Sequence, residues 1–167
     1  MAIERLHFAS DGLIPNNPVL PLACYVQALD VAGLSPEQKI IEHLAANGWV
    51  DAWINGIYPF QHYHATAHEV LGIAKGRALV QFGGPNGPVI EVIAGDVVLI
   101  PAGVGHCRLD TSGGLSVLGA YPEGQTADRR RENARDFSDA AECIARVGLP
   151  RLDPVTGAPF TVVPPPG

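Results

Sequence analysis

Residues 62–69, HYHATAHE, place three histidines and one glutamate within eight positions of a chain that has only six histidines. Three interpretations compete: one metal site, a helical zinc motif, or a coincidence of surface polarity. In a helix, His64 and His68 would share a face four residues apart, as in a zinc-protease helix. However, Ala65 stands where that motif has its general-base glutamate, and Pro59 with nearby aromatic residues favours extended chain. We therefore expect a strand at the start of this stretch.

Strand geometry predicts which of these side chains face together. Alternate residues of a strand point to the same face, so His62 and His64 should point one way and Tyr63 the other. The loop ATAH would allow Glu69, at the start of the next strand, to add a carboxylate. A further ligand should come from another strand, and GDVVLIPAGVGHCRLD offers His106 at a second junction of strand, turn and strand. The spacing favours one metal site.

The same residues resemble the two sequence motifs of the cupin superfamily. The first motif is a glycine, five residues, H-x-H, three or four residues, a glutamate, six residues and a glycine; the matching positions are Gly56, His62, His64, Glu69 and Gly76. The second motif is matched at Gly95, Pro101, Gly103 and His106, with Asp110 where asparagine is usual. The resemblance covers residues 56–110, and the whole chain also looks like a group of small single-domain cupins.

The resemblance implies an all-β fold, the double-stranded β-helix or cupin jelly-roll barrel, with a few flanking helices. It implies that the metal ligands converge near the barrel mouth, and these ligands are His62, His64, Glu69 and His106. It also implies a homodimer with N-terminal arms packed across the interface. We expect one cupin domain over residues 1–167, divided into an N-terminal arm and helix (1–48), a barrel core (49–121), and a C-terminal helix and tail (122–167).

The remaining sequence agrees with a mostly β protein. Eight short runs rich in Val, Ile, Leu and aromatics lie between residues 49 and 121, bounded by Gly, Pro or Asn, and predict eight strands. The proline-rich segment 13–22 predicts an extended arm or edge strand. A helix is predicted over 35–48, with Ile40, Ile41 and Leu44 on its apolar face. A second helix is predicted over 138–148, capped by Ser138.

Composition excludes several classes of partner. The chain has 11 Lys and Arg against 17 Asp and Glu, for a formal charge of −6, and the only dense basic run, residues 129–131, is flanked by Asp128 and Glu132. We therefore expect no nucleic-acid partner. The N-terminus lacks the pattern of a signal peptide and the longest apolar run is too short for a bilayer, which predicts a cytoplasmic protein without a membrane partner. Three scattered cysteines predict reduced thiols.

The ligand set restricts the cofactor. Three neutral imidazoles and one carboxylate carry a net charge of −1 and suit one divalent transition metal, which is Fe, Mn, Ni, Co or Zn, better than Cu(I). A six-coordinate ion would keep two positions open for water, dioxygen or substrate oxygens. A structural zinc site would be closed and would usually contain cysteine. The predicted site is therefore suited to Lewis-acid or oxygen chemistry on a small-molecule substrate.

Three further residues are candidates for a role in catalysis. Arg108 lies two residues after His106, so it would face the same cavity and could anchor a carboxylate or phosphate; a rim arginine paired with a surface acid is the alternative. His68 could shuttle protons, although a solvent-exposed loop histidine is the alternative. Tyr63 could act as a base. Cys107 should be a buried thiol that faces away from the site.

Three function classes remain open at this point. The first is a non-haem iron dioxygenase acting on a small organic molecule, which we slightly prefer. The second is a non-redox, metal-dependent isomerase or lyase. The third is a non-catalytic protein that binds a metal or a small ligand. An open metal site favours the two enzyme classes over the third.

Overall fold

The structure, a computed structural model, describes residues 1–166. Within these residues the chain forms nine strands and three helices. The strands are β1 (Ala2–Leu6), β2 (Leu22–Val26), β3 (Trp49–Asn55), β4 (His62–Tyr63), β5 (Glu69–Phe82), β6 (Val89–Ile93), β7 (Val97–Ile100), β8 (His106–Pro122) and β9 (Arg130–Arg131). The helices are α1 (Pro36–Ala46), α2 (Ala134–Phe137) and α3 (Ala140–Ala145).

The strands form one curled antiparallel sheet, which confirms the predicted all-β, jelly-roll class. Its order is β1-β2-β7-β5-β8-β4-β9, with β3 added to β8 and β6 added to β5. Strands β5 and β8 are the centre of the sheet and pair from Val70 opposite Ala120 to Phe82 opposite His106. In residues 1–166, no helix combines the length and apolarity that crossing a membrane requires.

The prediction of eight separate strands between residues 49 and 121 was wrong at two places. Strand β5 joins the predicted strands 69–74 and 77–82, and β8 joins 106–110 and 115–121. The two strands stay paired across residues 75–77 of β5 and 112–116 of β8, where shifts in register absorb the extra residues. Irregular pairing of this kind bends a strand without ending it.

The N-terminal region contributes two strands to the sheet that the sequence analysis did not predict. Strand β2 pairs with β1 on one side and with β7 on the other. The proline-rich segment 13–22 leads into β2 and is not itself an edge strand. Strand β1 is an edge strand of the sheet, and its Glu4 and Arg5 are exposed there, as is common for edge strands.

The helices differ from prediction mainly at their ends. Helix α1 lies within the predicted range, although the Ser35 side chain makes no capping hydrogen bond. The helix predicted over 138–148 is the shorter α3, whose N-cap is Asp139 and not Ser138. Ser138 instead ends α2, a short helix that the sequence analysis did not predict. All three cysteines are free thiols, as predicted.

The two-residue period of β5 separates two apolar clusters. Leu71 and Ile73 point into the curled interior of the sheet, in a cluster that includes Phe82 and Val117. Val70 and Ala74 point outward, where they belong to the cluster that packs around α1. Because Glu69 lies on the same face of β5 as Leu71, its carboxylate points into the interior.

Helix α1 allows a direct test of the outer cluster. Leu44 is fully buried there, so Leu44→Ala should lower the free energy of unfolding by about 2–5 kcal/mol. The matched control is Glu42→Ala on the exposed face of the same helix, which we expect to change it by less than about 0.5 kcal/mol. Denaturant unfolding of both variants measures this. Similar values for the two variants would contradict the packing described here.

Candidate metal centre

Three strands bring the predicted ligands to one cavity. His62 lies in β4 with His64 just after it, Glu69 begins β5, and His106 begins β8. In the pairing of β4 with β8, His62 stands directly opposite His106, and their ring centroids are 3.9 Å apart. All four side chains line a cavity of about 490 Å³. The ligand atoms of the three histidines lie within 4.8 Å of one another, so the three could hold one metal ion.

The turn before His106 depends on a glycine. Gly103 has a φ of +91°, and a Cβ there would lie 2.5 Å from the carbonyl oxygen of Asn16. Its backbone N–H donates to the carbonyl oxygen of His64 at 2.7 Å. This hydrogen bond joins the turn of the second motif to the end of the first, which brings His106 beside His64.

Backbone carbonyls orient all three histidine rings. His62 Nδ1 lies 2.9 Å from the carbonyl oxygen of Phe60, and His106 Nδ1 lies 3.1 Å from that of Val104. His64 Nδ1 contacts the carbonyl oxygen of Asp128. A carbonyl oxygen only accepts, so each Nδ1 carries the hydrogen and each Nε2 is left to act as a ligand. Hydrogen bonds of this kind are the usual way in which proteins orient metal-binding histidines.

The Glu69 carboxylate lies beside these nitrogens. Its Oε2 is 3.3 Å from His64 Nε2 and its Oε1 is 3.5 Å from His106 Nε2, and the residue is 2% exposed. Burial alone would raise the pKa of Glu69, but His64 and His106 hold that pKa far below its usual range. The carboxylate therefore stays ionised in the interior.

The electrostatics of the cluster fit a bound cation. Burial followed by the nearby His106 lowers the pKa of His62 to about 3, so that ring is neutral. Burial also disfavours the charged form of His64, but the Glu69 carboxylate outweighs this and raises the pKa of His64 to about 9. Without a metal, the cluster therefore favours one positive charge in the form of a proton on His64. A divalent ion would supply that charge to nitrogen and oxygen donors that suit it.

The other candidate residues separate into two groups. Arg108 is half-buried and lines the cavity. Tyr63 and His68 are not among the lining residues: the Tyr63 hydroxyl donates to the carbonyl oxygen of Asp136, and His68 Nδ1 accepts from the backbone N–H of Ala102. The alternative of a solvent-exposed His68 was wrong, since it is 2% exposed.

Sequence reasoning missed Tyr121 and Trp53, which also line the cavity. Trp53 Nε1–H donates to the Tyr121 hydroxyl at 2.9 Å. Burial first, and then the neighbouring Glu69 carboxylate, raise the pKa of Tyr121. Alternation along β8 was the available signal, because Tyr121 shares a face with Gly119 and with Val117, which lies in the interior cluster.

Trp53 reaches this place because Gly119 has no side chain. A Cβ on Gly119 would lie 2.1 Å from the Trp53 ring. The indole therefore lies directly against β8 and can extend its N–H to Tyr121. Small size, and not an unusual backbone conformation, is the reason for glycine here, since φ of Gly119 is not in the left-handed region.

The segment after β8 contributes Ala127, Asp128 and Arg129 to the cavity lining. Arg130 fixes the position of this segment. The Asp128 carboxylate accepts from the backbone N–H of Ala65 at 2.7 Å and from Arg130 Nε at 2.8 Å. Arg130 Nη1 also donates to the carbonyl oxygen of Asp136 and to the Asp139 carboxylate. Arg130 thus links the chain that holds His64 to helices α2 and α3.

Replacing Arg130 tests this link through its dependence on pH. Burial raises the pKa of Asp128, but hydrogen bonds from Arg130 and Ala65 outweigh it and lower that pKa. The resulting stability is present above the unfolded-state pKa of about 3.9 and is lost as the pH falls through the lower folded-state pKa. Arg130→Gln should therefore reduce the free energy of unfolding by about 1–3 kcal/mol at pH 7, and by less below about pH 4.

Denaturant unfolding at pH 7 and pH 3 measures the difference. Arg135→Gln, which removes an exposed charge from neighbouring α2, is the matched control and should have little effect at either pH. An Arg130→Gln penalty of the same size at both pH values would contradict the assignment to Asp128.

Comparison with solved structures returns matches at low similarity. A structure of DMSP lyases matches at 22% identity with a TM-score of 0.39, covering 49% of this chain and 41% of that chain. Acireductone dioxygenase from Bacillus anthracis, with a cadmium ion in its active centre, matches at 16% identity with a TM-score of 0.38, covering 55% and 63%. A cupin 2 domain-containing protein from Halorhodospira halophila matches at 14% identity with a TM-score of 0.38, covering 89% and 83%. This chain thus spans less than two thirds of the length of the DMSP lyase and of the acireductone dioxygenase.

Comparison by sequence is closer. No family model matches the chain. The uncharacterized protein YjlB of Bacillus subtilis (strain 168) is 41% identical over 154 residues, which are 92% of this chain and 90% of that protein. Two cupin motifs, folded onto a curled antiparallel sheet, accompany that identity. The chain therefore belongs to the same family as YjlB, and its two motifs and curled antiparallel sheet are those of a cupin fold.

Proposed function

We propose that this protein is a metal-dependent enzyme that acts on a small organic molecule, with one divalent ion held by four residues. Those residues are His62, His64, Glu69 and His106. The observation that carries the proposal is that three backbone carbonyls fix the histidine Nδ1 atoms, so that the ligand atoms face one cavity beside a buried carboxylate. Such an arrangement of acceptors is costly to bury without a cation.

The donor set suits Fe, Mn, Ni, Co or Zn. A bound ion with these ligands would supply a Lewis acid with exchangeable positions at the cavity. The cavity of about 490 Å³ is in the range of small-molecule sites. Leu71 and Ile57 make part of its wall apolar, which favours an organic substrate.

Between the enzyme classes we slightly favour a non-haem iron dioxygenase. Open ligand positions next to an apolar wall are suited to bringing dioxygen and an organic substrate together. The alternative is a non-redox isomerase or lyase, and one observation favours it. Tyr121 carries a hydroxyl at the cavity, held by Trp53 and near Glu69, so a group able to move a proton is present beyond the ligands.

A non-catalytic protein that binds a metal or small ligand is the third class. The homodimer, the cytoplasmic location and the single-domain organisation expected from the sequence stay predictions. Sedimentation velocity of the metal-loaded protein would test the dimer.

Metal content tests the proposed ligands. Protein purified without a His-tag should hold about one divalent ion per chain, and His62→Ala or His106→Ala should each lose most of it. His43→Ala, at an exposed position of helix α1, is the matched control and should keep the wild-type amount. Elemental analysis, with circular dichroism to verify folding, measures this.

His68 and Glu69 make the same experiment more discriminating. His68 lies next to the proposed ligand Glu69 in the chain but does not line the cavity. His68→Ala should therefore retain the metal while Glu69→Ala weakens its binding. Loss of metal from His68→Ala, together with retention by Glu69→Ala, would refute the ligand assignment.

Oxygen uptake separates the two enzyme classes. Iron-loaded protein should consume dioxygen with at least one member of a panel of thiols, catechols and β-dicarbonyls, and His62→Ala should not. An oxygen electrode measures the rate. An absence of uptake with every compound would reject the dioxygenase and direct attention to the isomerase or lyase, for which Tyr121→Phe is the informative variant.

A further inference from the structure

Two arginines at the cavity lack acidic partners. Arg108 and Arg129 both line it. Among residues 1–166, neither guanidinium has a carboxylate within 4.0 Å. Arg129 donates to the Tyr58 hydroxyl at 2.8 Å and lies over the Tyr58 ring, and Arg108 makes no side-chain hydrogen bond within the described chain. Both guanidinium charges are thus available to a ligand that enters the cavity.

The two acids that line the same cavity are already engaged. Glu69 contacts His64 and His106. Asp128 is paired with Arg130, which lies outside the cavity lining, and also accepts from the backbone N–H of Ala65. With a divalent ion bound beside Glu69, the cavity would therefore be positively charged overall, although the whole chain carries a formal charge of −6.

Arg108 is placed to act next to the proposed metal. It lies two residues after His106 in β8, so both side chains are on one face of the strand with their Cα atoms about 7 Å apart. Val80 and Phe82, which pair with Arg108 and His106, are buried in the interior cluster. An oxyanion that reached the metal would have the planar donors of this guanidinium beside it, and a guanidinium matches a carboxylate or a phosphate with two parallel hydrogen bonds.

We infer that the substrate carries an oxyanion group, a carboxylate or a phosphate, that Arg108 binds beside the metal, while Arg129 at the exposed mouth attracts it. This inference rests on the proposed metal-dependent function and names its substrate class. A small organic acid fits the apolar part of the wall, and a phosphate ester presents the same oxyanion chemistry.

Calorimetric titration of nickel-loaded protein tests the inference with matched probes. Glycolate and its neutral isostere glycolamide offer the same hydroxyl and carbonyl oxygens but differ in charge, and inorganic phosphate represents the other oxyanion. We expect wild-type protein to bind glycolate or phosphate more tightly than glycolamide. Arg108→Gln should weaken the binding of the preferred anion by about tenfold or more. It should leave the affinity for glycolamide unchanged and retain the nickel. Arg108→Lys should recover part of the loss, because a point charge returns without the fork.

Arg5→Gln on edge strand β1 is the control for net charge, since it removes one exposed arginine outside the cavity. A preference for glycolate indicates a carboxylate substrate and a preference for phosphate indicates a phosphate ester; either supports the inference. Equal binding of glycolate and glycolamide, no binding of either anion, or an Arg108→Gln variant that binds like wild type overturns it.

Failure of the metal site would be seen separately. If wild-type protein held no nickel, the proposed function would fail. The same titrations on metal-free protein would then decide the inference, because loss of anion binding in Arg108→Gln supports it and no difference from wild type overturns it.

Discussion

The hydrogen bonds from three histidine Nδ1 atoms to backbone carbonyls are the constraint on which the site depends. Each carbonyl belongs to a different part of the chain: Phe60 before β4, Val104 in the turn before β8, and Asp128 after β8. Because a carbonyl accepts and never donates, these contacts fix both the ring orientation and the position of the hydrogen. The sheet must therefore hold three separate segments in register before the Nε2 atoms can face one another.

Much of this arrangement could be predicted from local spacing. Alternation in a strand placed His62 and His64 on one face and Tyr63 on the other, and the structure has the first two at the cavity and Tyr63 in a separate apolar cluster. Proline and glycine positions predicted α1 because they act within a few residues of the chain. Such features depend on geometry that short segments impose on themselves.

Features that depend on distant contacts were not predictable in the same way. Strand β1 is recognisable only through its partner β2, and the continuity of β5 and β8 comes from pairing between them. His68 looks like a loop histidine in the sequence, yet the turn around Ala102 buries it. Tyr121 was visible in the alternation of β8, but its relevance depended on Trp53, which only reaches it across Gly119.

Charge is distributed unevenly over this acidic chain, and that distribution is informative about chemistry. Surface charges act over about 8 Å at physiological ionic strength, so the overall formal charge of −6 has little influence on what happens inside the cavity. There, Arg130 neutralises Asp128 from outside the cavity lining, and the histidines engage Glu69. Arg108 and Arg129 are then the charges that a ligand meets. Pairing the acids with other groups is thus what makes the cavity of an acidic protein attractive to an anion.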